Sequence, residues 1–81
     1  MSQKIQFGKA LKNGDSTTVN FDQTFSETPT VVISPFYENQ NQQVANVDTI
    51  SDISKSAFTV VSGNQASNYY VNWIAISKGN N

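Results

Sequence analysis

The sequence predicts an all-β domain of six short antiparallel strands. Three observations predict it. No stretch carries a helical 3.6-residue apolar period, the apolar residues alternate or cluster in β-branched runs, and polar turns break those runs at intervals of about 8–12 residues. Such a pattern belongs to an antiparallel sandwich or barrel.

The first predicted strand is Lys4–Ala10, where Ile5 and Phe7 lie two residues apart. It ends in Lys12-Asn13-Gly14-Asp15, a turn signal because Asn and Gly tolerate positive φ. The second is Ser16–Phe21, with Thr17, Val19 and Phe21 on one face. A polar stretch around Phe25 follows, and Pro29 disfavours helix at Thr28. The third, Thr30–Tyr37, has Val31, Ile33 and Phe36 as its expected buried members, and Pro35 within it argues for an edge position, a bulge or a bend. After the polar loop Glu38–Gln43 comes the fourth, Val44–Ser51, with Val44, Asn46, Asp48 and Ile50 alternating against Ala45, Val47 and Thr49. The fifth, Ala57–Ser62, carries Phe58, Val60 and Val61. A second polar loop, Gly63–Asn68, leads to the sixth, Tyr69–Ser77. That strand sets Tyr69, Val71, Trp73 and Ala75 on one face and Tyr70, Asn72, Ile74 and Ile76 on the other. Residues 78–81 are expected to fray, so the whole chain, 1–81, reads as one domain.

Large apolar groups on both faces of the last strand imply a second covered surface. A subunit interface supplies one; a central strand in a closed barrel is the other solution. Size argues in the same direction. A chain of 81 residues buries only about 60–65% of its unfolded surface, and domains this small are usually stapled by disulfides, metal or self-association. There is no cysteine and no histidine, and the carboxylates Asp15, Asp22, Glu27, Glu38, Asp48 and Asp52 lack calcium-loop spacing. Self-association is what remains.

The same composition bounds function. Five lysines, no arginine and a net charge of −1 make no basic stripe, which argues against nucleic acid as partner. The N-terminal residues lack the apolar core of a signal peptide, and no apolar run approaches the ~18 residues that cross a bilayer; a soluble chain of open localisation is expected. Without His or Cys, a nucleophile or base would have to come from Lys, Tyr, Asp or Glu, and Gly8, Gly14, Gly63 and Gly79, occurring singly, make no phosphate loop. Asp48 and Asp52 read as two solvated turn carboxylates. No enzyme and no cofactor is expected. Asn, Gln, Ser and Thr are abundant beside strand aromatics, in the loops Glu38–Gln43 and Gly63–Tyr70 above all. Amides offer donor and acceptor together, and an aromatic ring offers a platform for the C–H face of a pyranose. The plain alternative is that such loops only solvate and cap a small β protein.

The order of residues resembles a known family. Val19-Asn20-Phe21, Phe25, Pro29-Thr30-Val31, Ala57-Phe58-Thr59-Val60 and the terminal Tyr70-Val71-Asn72-Trp73-Ile74-Ala75-Ile76 are similar to the H-type lectin domain over about residues 5–77. The resemblance implies a six-stranded antiparallel β-sandwich that assembles as a trimer, sometimes a dimer of trimers. It implies glycan ligands of the galactose or N-acetylgalactosamine class, held in clefts between protomers. In that family an acidic residue sits between strands one and two, where this chain has Asp15. An arginine leads into strand four, where Gln43 stands here, and a Trp–His pair lies before the last strand, where this chain has the shorter loop Gly63–Asn68 with Asn64 and Gln65 as neutral donors and acceptors. A tyrosine opens that strand, matched by Tyr69 or Tyr70. The implied sugar contacts are therefore Asp15, Gln43, Asn64, Gln65, Tyr69 and Tyr70. Trp73 falls on a position read as core or interface rather than sugar platform. Two other functions fit a domain of this kind. One is a structural trimerisation or receptor-binding module of a larger particle such as a phage tail fibre; the other is an accessory domain that binds protein.

Overall fold

The computed structural model describes residues 5–12 and 14–78, so Lys4, Asn13 and the expected frayed end beyond Lys78 lie outside the described residues. Six strands form: β1 (Ile5–Leu11), β2 (Ser16–Asn20), β3 (Thr30–Tyr37), β4 (Thr49–Ile53), β5 (Ala57–Val61) and β6 (Tyr69–Ile76). Every pairing is antiparallel. They make two three-stranded sheets, β1-β6-β3 and β2-β5-β4, and no described segment is helical. No helix among the described residues is therefore long and apolar enough to cross a membrane.

The sheets face each other across Phe21, Phe25, Val31, Phe58, Val60, Val71 and Ala75. Phe21 is the hub: its ring meets Phe25 edge-on at 5.0 Å, and lies 5.7 Å from both Phe58 and Trp73. Such aromatic contacts add specific geometry to the area they bury. The long β2–β3 connection is tied in by backbone bonds, Phe21 N–H to Ser56 C=O and Phe25 N–H to Lys55 C=O, both 2.9 Å. The buried Gln6 side chain clasps Gln23 by donating to its carbonyl (2.7 Å) and accepting from its N–H (3.2 Å).

Three expectations are corrected. The fourth strand starts at Thr49, not Val44, because Asn46 and Asp48 turn inward to side-chain partners and leave no ladder until Thr49 meets Val61. Phe36 is not on the core side. The β3–β6 register runs unbroken from Thr30 to Tyr37, so Phe36 falls on the outward face with Val32 and stacks on Tyr70 at 5.9 Å. Pro35 needs no bulge because β3 is an edge strand, where a missing N–H is tolerated. The third concerns Asp48, which is half-buried and hydrogen-bonded rather than solvated; Asp52 is exposed as expected.

Strand β1 is inverted relative to its hydrophobicity. Its inward positions are Gln6, Gly8, Ala10 and Lys12, while Ile5, Phe7 and Leu11 are exposed. The reason lies across the ladder. Gly8 pairs with Trp73, whose indole lies over it so closely that a Cβ there would sit 3.1 Å from the ring. Strand β6 brings the bulk and β1 makes room. Gly14, in the β1–β2 turn, has φ +79°, a conformation that glycine adopts at little cost.

Candidate functional site

Two features stand out: an apolar sheet face and a polar loop end that adjoins it.

The outward face of β1-β6-β3 is ordered by register into four rows. These are Ile5–Ile76–Thr30, Phe7–Ile74–Val32, Lys9–Asn72–Ser34 and Leu11–Tyr70–Phe36. Phe7 is 77% exposed, and Ile5, Val32, Ile76 and Leu11 are exposed with it. Exposed apolar groups gathered on one sheet face in this way are the kind of surface that marks an interaction site. The third row is polar: Lys9 donates to Glu38 at 2.7 Å and lies 4.8 Å from the Tyr70 ring centre. The hydrogen bond to Glu38 raises the affinity of Lys9 for its proton. β6 is thus the centre of an open three-stranded sheet, apolar on both sides, and not a strand of a closed barrel.

The Leu11–Tyr70–Phe36 row abuts the end of the sandwich where the β1–β2 turn, the β3–β4 loop and the β5–β6 loop gather. Five side chains form a chain of hydrogen bonds there. Asn64 Nδ2 donates to Tyr37 Oη (2.6 Å) and Asn46 Oδ1 (2.9 Å). Asn46 Nδ2 donates to Asp48 Oδ1 (2.5 Å) and Tyr69 Oη (3.0 Å), and the Tyr69 hydroxyl donates to Asp48 Oδ1 (2.9 Å). Asp48 Oδ2 is buried and meets no donor among the described residues. Beneath this chain Lys12, 1% exposed, donates to the carbonyls of Gly14 (2.7 Å), Ser62 (2.9 Å) and Asn64 (2.8 Å).

The six residues expected to touch a ligand divide accordingly. Asp15 and Gln65 are brought together on the surface, the Gln65 amide donating to the Asp15 carboxylate. Asn64 and Tyr69 belong to the internal chain, and Tyr69 is wholly enclosed. Of the two tyrosines, Tyr70 is the one that faces outward, on Phe36. Gln43 is exposed in the β3–β4 loop and joins neither group. Lys12, Tyr37, Asn46 and Asp48 were not expected at this end. The signal for two of them was present, since Asn46 and Asp48 share the alternating face of Ile50, which packs on the core.

Exposed carboxylate and amide side by side can accept from and donate to neighbouring hydroxyls. A larger cavity, about 380 Å³, lies at the opposite end and is lined by Glu27, Thr28, Thr30, Ile76, Ser77 and Lys78. A shallow one of about 180 Å³ lies on the apolar face between β3 and β6. The described residues hold no cluster of three or more potential metal ligands.

Burial, and secondarily the hydrogen bond to Asp48, push the Tyr69 hydroxyl up to about 12 from its usual 10, against the opposing pull of Asn46. The unfolded chain therefore releases this proton first as pH rises. The Tyr69 contribution is intact below pH 10 and drains away between 10 and about 12. Tyr69→Phe is expected to flatten that alkaline loss, while costing about 1–3 kcal/mol at neutral pH by stranding Asn46 and Asp48. Urea midpoints across the pH range measure both.

No family model, no curated protein and no solved structure matches the chain.

Proposed function

We propose that the chain is a non-enzymatic carbohydrate-binding protein, a lectin, that works as a homotrimer or a dimer of trimers. Its sugar, of the galactose or N-acetylgalactosamine class, lodges at the seams between protomers. The observation that carries this reading is adjacency. An uncovered apolar sheet face ends, at its Leu11–Tyr70–Phe36 row, beside a loop end that presents the Asp15–Gln65 pair. A neighbour laid on that face brings its own surface up to the pair and turns an open patch into a cleft. The resemblance to H-type lectins, carried by the core pattern from Val19 to Ile76, points the same way. Single clefts of this kind bind weakly, about millimolar to micromolar, and repetition in one assembly multiplies the apparent affinity.

A glycan array read beside sedimentation velocity tests the reading. Galactose-type spots retained by an oligomer are expected; a folded oligomer that binds no glycan sinks the lectin reading. The apolar face also favours a second reading, since it calls for assembly whatever the loops do. In that reading the domain is a structural trimerisation or receptor-binding module of a larger particle, and an oligomer indifferent to glycans is its expected result.

A further inference from the structure

We propose that the Lys12 ammonium is an internal cation whose task is to position the Asp15–Gln65 pair, doing within the chain what a bound metal ion does in carbonyl-lined loops. The proposal deepens the lectin reading, and rests on it only where ligand affinity is concerned.

Three observations carry it. Lys12 is 1% exposed, and all three of its N–H donors are used, each by a backbone carbonyl rather than a carboxylate. An enclosed ammonium gives up its hydration at a large cost, so a merely apolar contact would be better made by methionine. Next, the acceptors are not arbitrary. Gly14 immediately precedes Asp15, Asn64 immediately precedes Gln65, and Ser62 binds back to the first turn by donating its N–H to the Asp15 carbonyl at 3.1 Å. One nitrogen thereby fixes the two backbones that carry the exposed pair. Finally, its own anchor is rigid: the Lys12 N–H donates to the Tyr69 carbonyl at 3.0 Å, at the start of the central strand β6. Asn64 passes the constraint onward, since the same residue caps the Ala66 N–H at 3.1 Å and reaches Tyr37 and Asn46. Charge-assisted bonds are the strong ones, and three of them converge here.

The test is amide hydrogen exchange on the full chain. Lys12→Met keeps the apolar stem and removes the donors. Exchange at Ser62, Asn64 and Ala66 is expected to quicken by at least about tenfold, with the central-strand amides of β5 and β6 unchanged. Lys12→Ala opens a space the size of n-propylammonium. Adding that ion is expected to restore protection, whereas 1-propanol, of similar shape and uncharged, is not. Unchanged loop exchange in Lys12→Met, or equal restoration by the alcohol, overturns the proposal. Should Lys12→Met fail to fold, Lys12→Ala decides: recovery with the ammonium alone supports the internal cation, and recovery with both or neither overturns it. A second arm measures retention on an N-acetylgalactosamine surface, where Lys12→Met is expected to bind about tenfold more weakly. Opened loops with undiminished binding overturn the positioning role. A wild-type protein that binds no sugar counts against the lectin reading and leaves the exchange result standing.

Discussion

Phe7→Glu is expected to yield a folded protomer that no longer self-associates. Phe7 is 77% exposed, so the protomer loses almost no packing of its own when the ring is removed. In an assembly built on the β1-β6-β3 face, the same ring sits in the Phe7–Ile74–Val32 row, the most apolar of the four. Aromatic anchors at such centres cost about 2–4 kcal/mol when truncated, and a carboxylate introduced there adds its own desolvation. The oligomer should therefore dissociate by at least about 30-fold more readily, since each 1.4 kcal/mol is a factor of ten. Sedimentation velocity reads the assembly and Trp73 fluorescence reads the fold. If a multivalent glycan surface is the target, apparent affinity should fall with it by about 10²–10⁴. An unchanged oligomer would place the interface elsewhere.

Phe58→Ala is expected to do the reverse, abolishing the protomer itself. Phe58 is 1% exposed, tilts against Phe21 at 5.7 Å and meets Trp73 edge-on at 5.5 Å. Its backbone sits on the central strand β5, opposite Val19 on one side and Ile53 on the other. Emptying such a site costs about 3–5 kcal/mol, against a total stability of roughly 4–12 kcal/mol for a domain of this length. At the low end of that range the whole margin goes. Urea or thermal unfolding followed by near-ultraviolet circular dichroism should show a collapsed transition. Val47→Ala is the contrast: Val47 is as apolar by type but 82% exposed in a loop, and a change there stays within about 0.5 kcal/mol.

The contrast between Phe7 and Phe58 shows what alternation encodes. A period of two tells which residues share a face, and so the six strands and the two-faced character of β6 were legible, while Pro35 left edge, bulge and bend open until the strand order placed β3 at the edge. The period does not tell which face is inward. Ile5 and Phe7 were as eligible for the core as Val19 and Phe21, and only the indole lying over Gly8 settles that β1 turns its small and polar side inward. The loop end was less legible still. Asp15 and Gln65 were singled out, but their meeting depends on Lys12, which closes contacts 50 and 52 residues away. Asp48 looked solvated because alternation does not show that its face turns inward, where Asn46, two residues away, and Tyr69, 21 residues on, bond to it.

The order of strands carries a consequence for biogenesis. β6 is synthesised after every other strand, yet it is the middle of the β1-β6-β3 sheet, and β1 and β3 touch nothing in that sheet except β6. Until β6 has left the ribosome, a nascent chain can close only the β4–β5 hairpin and its β2 neighbour. Val31 and Ile33 then wait on an unpaired strand, without the Val71, Trp73 and Ala75 side chains that share their core in the folded protomer. Such topologies, dominated by distant pairings, fold in milliseconds to seconds. This protein's greatest exposure to aggregation therefore falls in the interval before β6 inserts between β1 and β3.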